Sequence, residues 1–157
     1  MLINRHRTVC LSFISTDFPV WNVIKTSATL DRRDQEKFHL SLDGQDLPRS
    51  VSNSDRGKFD RGLFWLEITP YRVVLTMQSN NKLSYRHFWE KGIYGVSRYC
   101  LNSSAEQPSI LQYRNFTRYL KVEQDDCLRN FRIEYEMWSD KLKLGSYILH
   151  LDVAKGK

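Results

Sequence analysis

The stretch Leu128–Trp138 reads L-R-N-F-R-I-E-Y-E-M-W and alternates apolar with polar residues from Phe131 to Met137. Because successive side chains of a strand point to opposite faces, this period of two predicts a strand with one buried face. A second alternating stretch, Leu144–Val153, follows a short turn, so the pair is predicted to form an antiparallel hairpin. The residues predicted to face the core are Phe131, Ile133, Tyr135, Met137, Tyr147, Leu149, Leu151 and Val153.

The stretch that precedes this hairpin, Ser109–Val122, reads S-I-L-Q-Y-R-N-F-T-R-Y-L-K-V and is compatible with two structures. In a helix, Ser109 would be the N-cap and Gln112 would complete a capping box. In a strand, the β-branched and aromatic residues would suit a pleated sheet. Two strands of matching length follow, so the strand is favoured, and residues 109–153 are predicted to form a three-stranded meander.

The rest of the chain also favours short strands. Further strands are predicted at 8–15, 20–30, 37–42, 62–69, 71–78 and 93–101. Residues 82–91, followed by Gly92, are compatible with one short helix. The predicted fold is therefore mainly β, an antiparallel barrel or sandwich of about nine strands with that one helix. Residues 1–157 are expected to form a single domain, with a long surface loop at 45–62 that is a candidate lid or partner contact, and a frayed tail at 154–157.

The composition indicates a folded domain without a membrane segment. The chain has 157 residues, of which 41% are hydrophobic and 13% aromatic, which suits a packed globule. No stretch approaches the roughly 18 consecutive apolar residues of a membrane-spanning helix. The N-terminus lacks the apolar core of a signal peptide, so a cytoplasmic or nuclear location is expected. The three cysteines form no C-x-x-C motif and are expected to be small apolar residues in a reducing compartment.

The sequence contains no recognisable catalytic or metal-binding motif. It lacks a glycine-rich phosphate loop, a G-x-S-x-G motif and an H-E-x-x-H motif. The four histidines (His6, His39, His87 and His150) are far apart, and no two Cys or His residues have the spacing of metal ligands. No cofactor, metal or catalytic residue is therefore predicted, and the protein is expected not to be an enzyme. Two glycosylation sequons, at Asn102 and Asn115, matter only if the chain enters the secretory pathway.

Basic charge is concentrated in one quarter of the chain. The net charge is +6, and residues 82–121 hold 7 Lys and Arg against 2 Asp and Glu, a balance of +5. Aromatic residues alternate with these cations, a combination that binds single-stranded nucleic acid by base stacking and phosphate neutralisation. The alternative is that half of the aromatic residues face the core, which would leave an ordinary basic sheet face. The predicted nucleic-acid-binding residues are Lys82, Tyr85, Arg86, Lys91, Arg98, Tyr99, Tyr113, Arg114, Phe116, Arg118, Tyr119 and Lys121.

Three functions remain compatible with these features. The first is a non-enzymatic module that binds RNA, single-stranded DNA or another anionic surface. Small viral matrix and accessory proteins share this physical character. The second is a β-barrel that carries an apolar small molecule. The third is a subunit of a homo-oligomer or larger assembly, which would meet its neighbour through strand edges or the apolar segment 62–77.

Overall fold

A computed structural model describes residues 6–19, 21–43, 63–78, 83–101 and 109–154, and these residues form ten β-strands. The strands are β1 (His6–Ser15), β2 (Trp21–Arg32), β3 (Phe38–Asp43), β4 (Leu63–Ile68), β5 (Arg72–Gln78), β6 (Leu83–Glu90), β7 (Tyr94–Leu101), β8 (Ser109–Gln124), β9 (Leu128–Ser139) and β10 (Leu142–Val153). The predicted loop 45–62 lies outside the described residues, as does the tail beyond Ala154.

The ten strands form one closed antiparallel barrel. Each strand pairs with its neighbours in the sequence, and β1 pairs with β10 to close the sheet. The closing pair runs from Val9 opposite Val153 to Ser15 opposite Tyr147. Both sides of every described strand are therefore paired, and closure of this kind removes free sheet edges. The mainly β fold, the C-terminal meander and the strand at 109–122 are confirmed.

One predicted element was wrong. The segment considered for a short helix is strand β6, which brings the number of strands to ten. The residues Tyr85, His87 and Trp89 all pack inside the barrel. This is the period of two of a strand, not the 3.6-residue period of a helix. Gly92, with a positive φ of 82°, forms the β6–β7 turn instead of ending a helix.

A bulge in β8 changes which side chains face inward. Thr117 pairs with Tyr135, but the next paired residue is Tyr119, opposite Glu134. The extra residue, Arg118, shifts the alternation by one position, so Leu120 is buried while Tyr119 is exposed. The alternation of a regular strand therefore changes phase beyond Thr117. Both Arg118 and Tyr119 lie on the outer surface as a result.

Gly95 in β7 allows a close approach between two strands. A Cβ atom at this position would collide with the backbone carbonyl oxygen of Phe88 in β6. The colliding atom belongs to the backbone and cannot move away as a flexible side chain could. The β6–β7 hairpin therefore needs glycine at this position.

The two ends of the barrel are packed differently. At one end of the barrel lie the last residues of β2, β4, β6 and β8, and at the other end lie the last residues of β1, β3, β5, β7 and β9. We call the second end the mouth. Among the described residues, five inward-facing aromatic rings that pack on the core lie near the mouth and remain only partly buried. They are Phe13, Tyr85, Tyr99, Tyr113 and Tyr147.

The opposite end of the barrel contains a dense apolar core. Its largest fully buried side chains include Trp89, Phe38 and Phe131, each at most 1% exposed. Val122, Cys127 and Val153 keep partial exposure at this end, but no described core-packed aromatic ring does. The barrel is thus filled by aliphatic and aromatic side chains at one end and lined by tyrosines at the other. The segment 62–77, considered as an assembly surface, supplies much of this core through β4 and β5.

Candidate functional site

The structure divides the predicted nucleic-acid-binding residues between two faces. Tyr85, Tyr99 and Tyr113 face into the barrel. Outside the barrel lie the exposed residues Arg86, Arg98, Arg114, Arg118, Tyr119 and Lys121, the half-buried Phe116 and, in the β6–β7 turn, the exposed Lys91. Lys82 lies outside the described residues. The cations and the three tyrosines thus belong to separate surfaces, because alternate residues of one strand point in opposite directions.

Two arginines on the outer surface face each other across neighbouring strands. Arg86 in β6 lies directly opposite Arg98 in β7, and Arg98 lies opposite Gln112 in β8. Both guanidinium groups are exposed, and neither has an ion pair with a described acidic residue. Like charges in directly opposed positions destabilise a sheet. We call Arg86 and Arg98 the arginine row.

The outer cations of β8 interact with neighbouring side chains and backbone groups. The Arg114 guanidinium lies 5.1 Å from the centre of the exposed Tyr94 ring and donates to the Asp140 carbonyl oxygen at 2.9 Å. The Arg118 Nε atom lies 3.6 Å from a Glu136 carboxylate oxygen. The Lys121 Nζ atom lies 3.6 Å from a Glu123 carboxylate oxygen. These three cations of β8 are therefore less free to bind an anion than Arg86 and Arg98 of the arginine row.

The inward tyrosines form an aromatic lining at the mouth. The ring centres of Tyr85 and Tyr99 are 5.7 Å apart, and those of Tyr99 and Tyr113 are 5.8 Å apart. On the other side of the lining, Phe13 stacks on Tyr147 at 5.3 Å. These distances lie in the range in which aromatic pairs attract each other. We call these five rings the mouth cluster.

A hydrogen-bonded group of polar side chains lies below the mouth cluster. The His87 Nδ1 atom is 2.8 Å from the Ser97 Oγ atom, and the His87 Nε2 atom is 3.3 Å from the Tyr99 hydroxyl. The Asn115 side-chain amide donates to Ser97 Oγ at 2.8 Å. The His87 ring stacks on Trp89 with a centre-to-centre distance of 5.2 Å. We call His87, Ser97 and Asn115 the polar floor.

Burial keeps His87, Tyr85 and Tyr99 uncharged. It lowers the pKa of His87 to about 4, because a charged imidazolium would lose its hydration. Burial, together with the neighbouring hydroxyls of Tyr85, Tyr113 and Tyr147, raises the pKa of Tyr99 to about 12. Burial also raises the pKa of Tyr85. At neutral pH these three residues therefore present a neutral imidazole and two neutral phenol groups, which can donate and accept hydrogen bonds.

The short contact between Ser97 and His87 resembles a nucleophile and its base, but the position of Ser97 indicates another role. A serine nucleophile must meet a substrate carbonyl and needs an approach path. Ser97 is 0% exposed, and its oxygen accepts the Asn115 amide. In this arrangement Ser97 orients the imidazole ring of His87. Asn115 is likewise 0% exposed, so its sequon faces the barrel interior, while Asn102 lies outside the described residues.

Several buried hydrogen-bonding groups in and near the polar floor are unpaired. Trp89 Nε1, Asn115 Oδ1 and Thr117 Oγ1 are buried and have no hydrogen-bond partner among the described residues. Most buried polar groups in folded proteins are paired, so three unpaired groups in one wall are unusual. Among the described residues, no group of three or more His, Cys, Asp or Glu side chains could hold a metal ion. The polar floor therefore offers neutral hydrogen-bonding groups.

Sequence reasoning missed the polar floor. The alternation of Tyr85, His87 and Trp89 could have placed His87 inside the barrel, had 82–91 been predicted as a strand. The positions of Ser97 and Asn115 carry no comparable signal. These three residues come from three adjacent strands, β6, β7 and β8, and meet only through the register of the sheet.

Comparisons with known proteins agree with the fold and go no further. No protein-family model matches the chain, and no curated protein matches its sequence. The architecture belongs to the class of closed antiparallel β-barrels. It is similar to the crystal structure of the ywiB protein from Bacillus subtilis, with a TM-score of 0.63 and 10% sequence identity over 97% of this chain and 91% of that chain. The described residues contain no helix that is long and apolar enough to cross a membrane.

Proposed function

We propose that the protein binds a small, predominantly apolar molecule in the mouth of its barrel. The observation that carries this proposal is that the five rings of the mouth cluster face inward yet remain only partly buried. Inward-facing aromatic surface that water still reaches would be covered by a ligand. The apolar carrier considered from the sequence is therefore preferred to nucleic-acid binding as the main function.

The chemistry of the mouth supports this proposal. Small-molecule sites are lined mainly by hydrophobic and aromatic side chains, with a few polar groups that orient the ligand. The mouth cluster supplies the first kind of group and the polar floor supplies the second. A barrel of about eight strands has an interior just wide enough for side chains or one small ligand, and ten strands widen it. Covering apolar surface contributes about 25 cal/mol per Å², so one covered ring face contributes about 1 kcal/mol.

The proposal is tested with N-phenyl-1-naphthylamine, an uncharged dye whose fluorescence rises in apolar surroundings. The wild-type chain is expected to bind the dye, and Tyr113→Ala is expected to weaken binding about tenfold because one wall of the site is lost. The matched control is Tyr71→Ala, since Tyr71 is 71% exposed at the opposite end of the barrel. No dye binding by the wild type, or equal weakening by the control, would contradict the proposal.

A second candidate function is binding of nucleic acid at the arginine row. The observation that favours it is the pair of exposed arginines in opposed positions without an ion pair among the described residues. A phosphate bound between Arg86 and Arg98 would relieve their repulsion, and the exposed Tyr94 ring on the same strand could stack on a base. The nucleic-acid-binding surface of this candidate function is therefore smaller than the one predicted from the sequence.

This second candidate is tested by binding to fluorescent single-stranded RNA and to a duplex across a salt series. The double variant Arg86→Glu/Arg98→Glu is expected to reduce the slope of log K against log salt by about 2. The control Arg33→Glu/Lys37→Glu makes the same charge change in an exposed turn at the other end of the barrel. An equal reduction of this slope in the two double variants would show that net charge alone, and not the arginine row, governs binding.

A further inference from the structure

A chain of hydrogen bonds runs from the wall of the barrel to the mouth. It links the Asn115 amide to Ser97 Oγ at 2.8 Å, Ser97 Oγ to His87 Nδ1 at 2.8 Å, and His87 Nε2 to the Tyr99 hydroxyl at 3.3 Å. Its first step has a fixed direction, because an amide NH₂ group can only donate. Ser97 therefore accepts from Asn115 and keeps its own hydrogen for another acceptor.

The Ser97 hydrogen has two acceptors within reach. One is the His87 Nδ1 atom at 2.8 Å, and the other is the Met137 Sδ atom at 3.7 Å. A thioether sulfur is a weak acceptor compared with an imidazole nitrogen, so Ser97 donates to His87. Burial keeps His87 neutral and gives it a pKa of about 4, so its single ring hydrogen must then be on Nε2.

The tautomer of His87 decides what Tyr99 offers to the mouth. If Nε2 carries the hydrogen, His87 donates to the Tyr99 oxygen. The hydroxyl hydrogen of Tyr99 is then not used by His87 and is available to another acceptor. Each bond in such a chain polarises the next, which makes the last hydroxyl a better donor than an isolated phenol. Tyr99 is partly exposed within the mouth cluster, where a ligand would lie.

We propose that Tyr99 donates a hydrogen bond to the oxygen of an uncharged carbonyl group on a flat, apolar ligand. This inference rests on the proposed binding of a small molecule in the mouth and names the chemical class of that molecule. The rings of Tyr85 and Tyr113 flank Tyr99, and the flat part of the ligand packs against them.

The charge of the described barrel interior indicates that this carbonyl group is uncharged. No Lys or Arg occurs among the described residues that are buried in the barrel or packed on its core, and His87 is neutral. A carboxylate that entered this site would lose its hydration without gaining a cation, which is costly. A ketone or amide oxygen loses much less and still accepts the Tyr99 hydrogen.

The inference is tested with three naphthalenes that share one ring system: 2-acetylnaphthalene, 2-ethylnaphthalene and 2-naphthoate. Calorimetry on the wild-type chain is expected to show about fivefold tighter binding of the acetyl compound than of the ethyl compound. Tyr99→Phe is expected to remove this preference while both compounds still bind. The control Tyr71→Phe changes an exposed ring outside the site and is expected to keep the fivefold preference.

The possible results separate this inference from the function on which it rests. Equal affinities of the acetyl and ethyl compounds, or a preference that survives Tyr99→Phe, would overturn the inference alone. If the charged 2-naphthoate bound most tightly of the three compounds, the inference that the ligand is uncharged would be overturned. A lack of binding by all three compounds would overturn the proposed function as well. Independently, nitrogen-15 NMR should show the His87 ring hydrogen on Nε2. A hydrogen on Nδ1 would refute the direction assigned to this chain of hydrogen bonds.

Discussion

The buried histidine should make the stability of the protein depend on pH. His87 is 8% exposed, and burial lowers its pKa from 6.5 to about 4. In the unfolded chain the same side chain has its ordinary pKa of 6.5. Between these two values the unfolded state binds a proton that the folded state does not bind. The free energy of unfolding must therefore fall as the pH decreases through this window.

The size of this effect follows from the two pKa values. Each unit of pKa difference corresponds to about 1.36 kcal/mol. Lowering the pH from 7.5 to 4.5 is therefore expected to lower the free energy of unfolding by about 2.5 kcal/mol through His87 alone. Below pH 4 both states are protonated at this position, and its contribution becomes constant. A loss of this size is a large part of the roughly 5–15 kcal/mol that stabilises a typical domain.

Urea denaturation at half-unit steps between pH 7.5 and 4.5 measures this change in the free energy of unfolding. The control is His87→Gln, which is expected to be less stable at pH 7.5 but to lose about 2.5 kcal/mol less than the wild type over the same range. The same slope in both proteins would assign the pH dependence to other groups. Proton NMR offers a direct check, because a His87 ring that titrates near pH 6.5 would refute the argument from burial.

Three further predictions concern the barrel itself and use urea denaturation as the measurement. Gly95→Ala is expected to cost about 2–3 kcal/mol because its Cβ would meet a backbone carbonyl, and unchanged stability would refute this contact. Phe131→Ala in the packed core should cost about 3–5 kcal/mol, while Phe13→Ala at the mouth should cost about 1–2 kcal/mol since water already reaches that ring. Equal costs would contradict the difference between the two ends. Arg86→Glu should stabilise the fold by about 0.2–1 kcal/mol, because it replaces repulsion of Arg98 with attraction, and a loss of stability would count against that repulsion.

The C-terminal hairpin shows what could be predicted from residues alone. The eight residues predicted to face inward in β9 and β10 all pack in or against the core. Their alternation is a local signal, because one residue along a strand changes the face. The same alternation occurs in 82–91, but Gly92 would also suit the end of a helix, so the local sequence is compatible with both elements. Residues Tyr85, His87 and Trp89 follow the strand period in the structure.

Which side chains of β8 face into the barrel depends on how β8 pairs with its partner strand. Residues 113–117 alternate between the inside and the outside as in a regular strand, but the bulge at Arg118 reverses this alternation for Leu120 and Val122. A bulge arises when two strands of unequal local length are paired, and the sequence of one strand does not reveal it. This reversal also decides that Tyr119 lies outside the barrel, whereas Tyr113 lies inside.

A β domain can be predicted from the sequence, because hydrophobic alternation, turn residues and composition act over a few neighbouring positions. Closure of the sheet cannot be predicted in this way, because the pairing of Val9 with Val153 joins residues at opposite ends of the chain. The candidate site has the same origin. His87, Ser97 and Asn115 lie on three strands and become hydrogen-bonded neighbours only when those strands pair in one register.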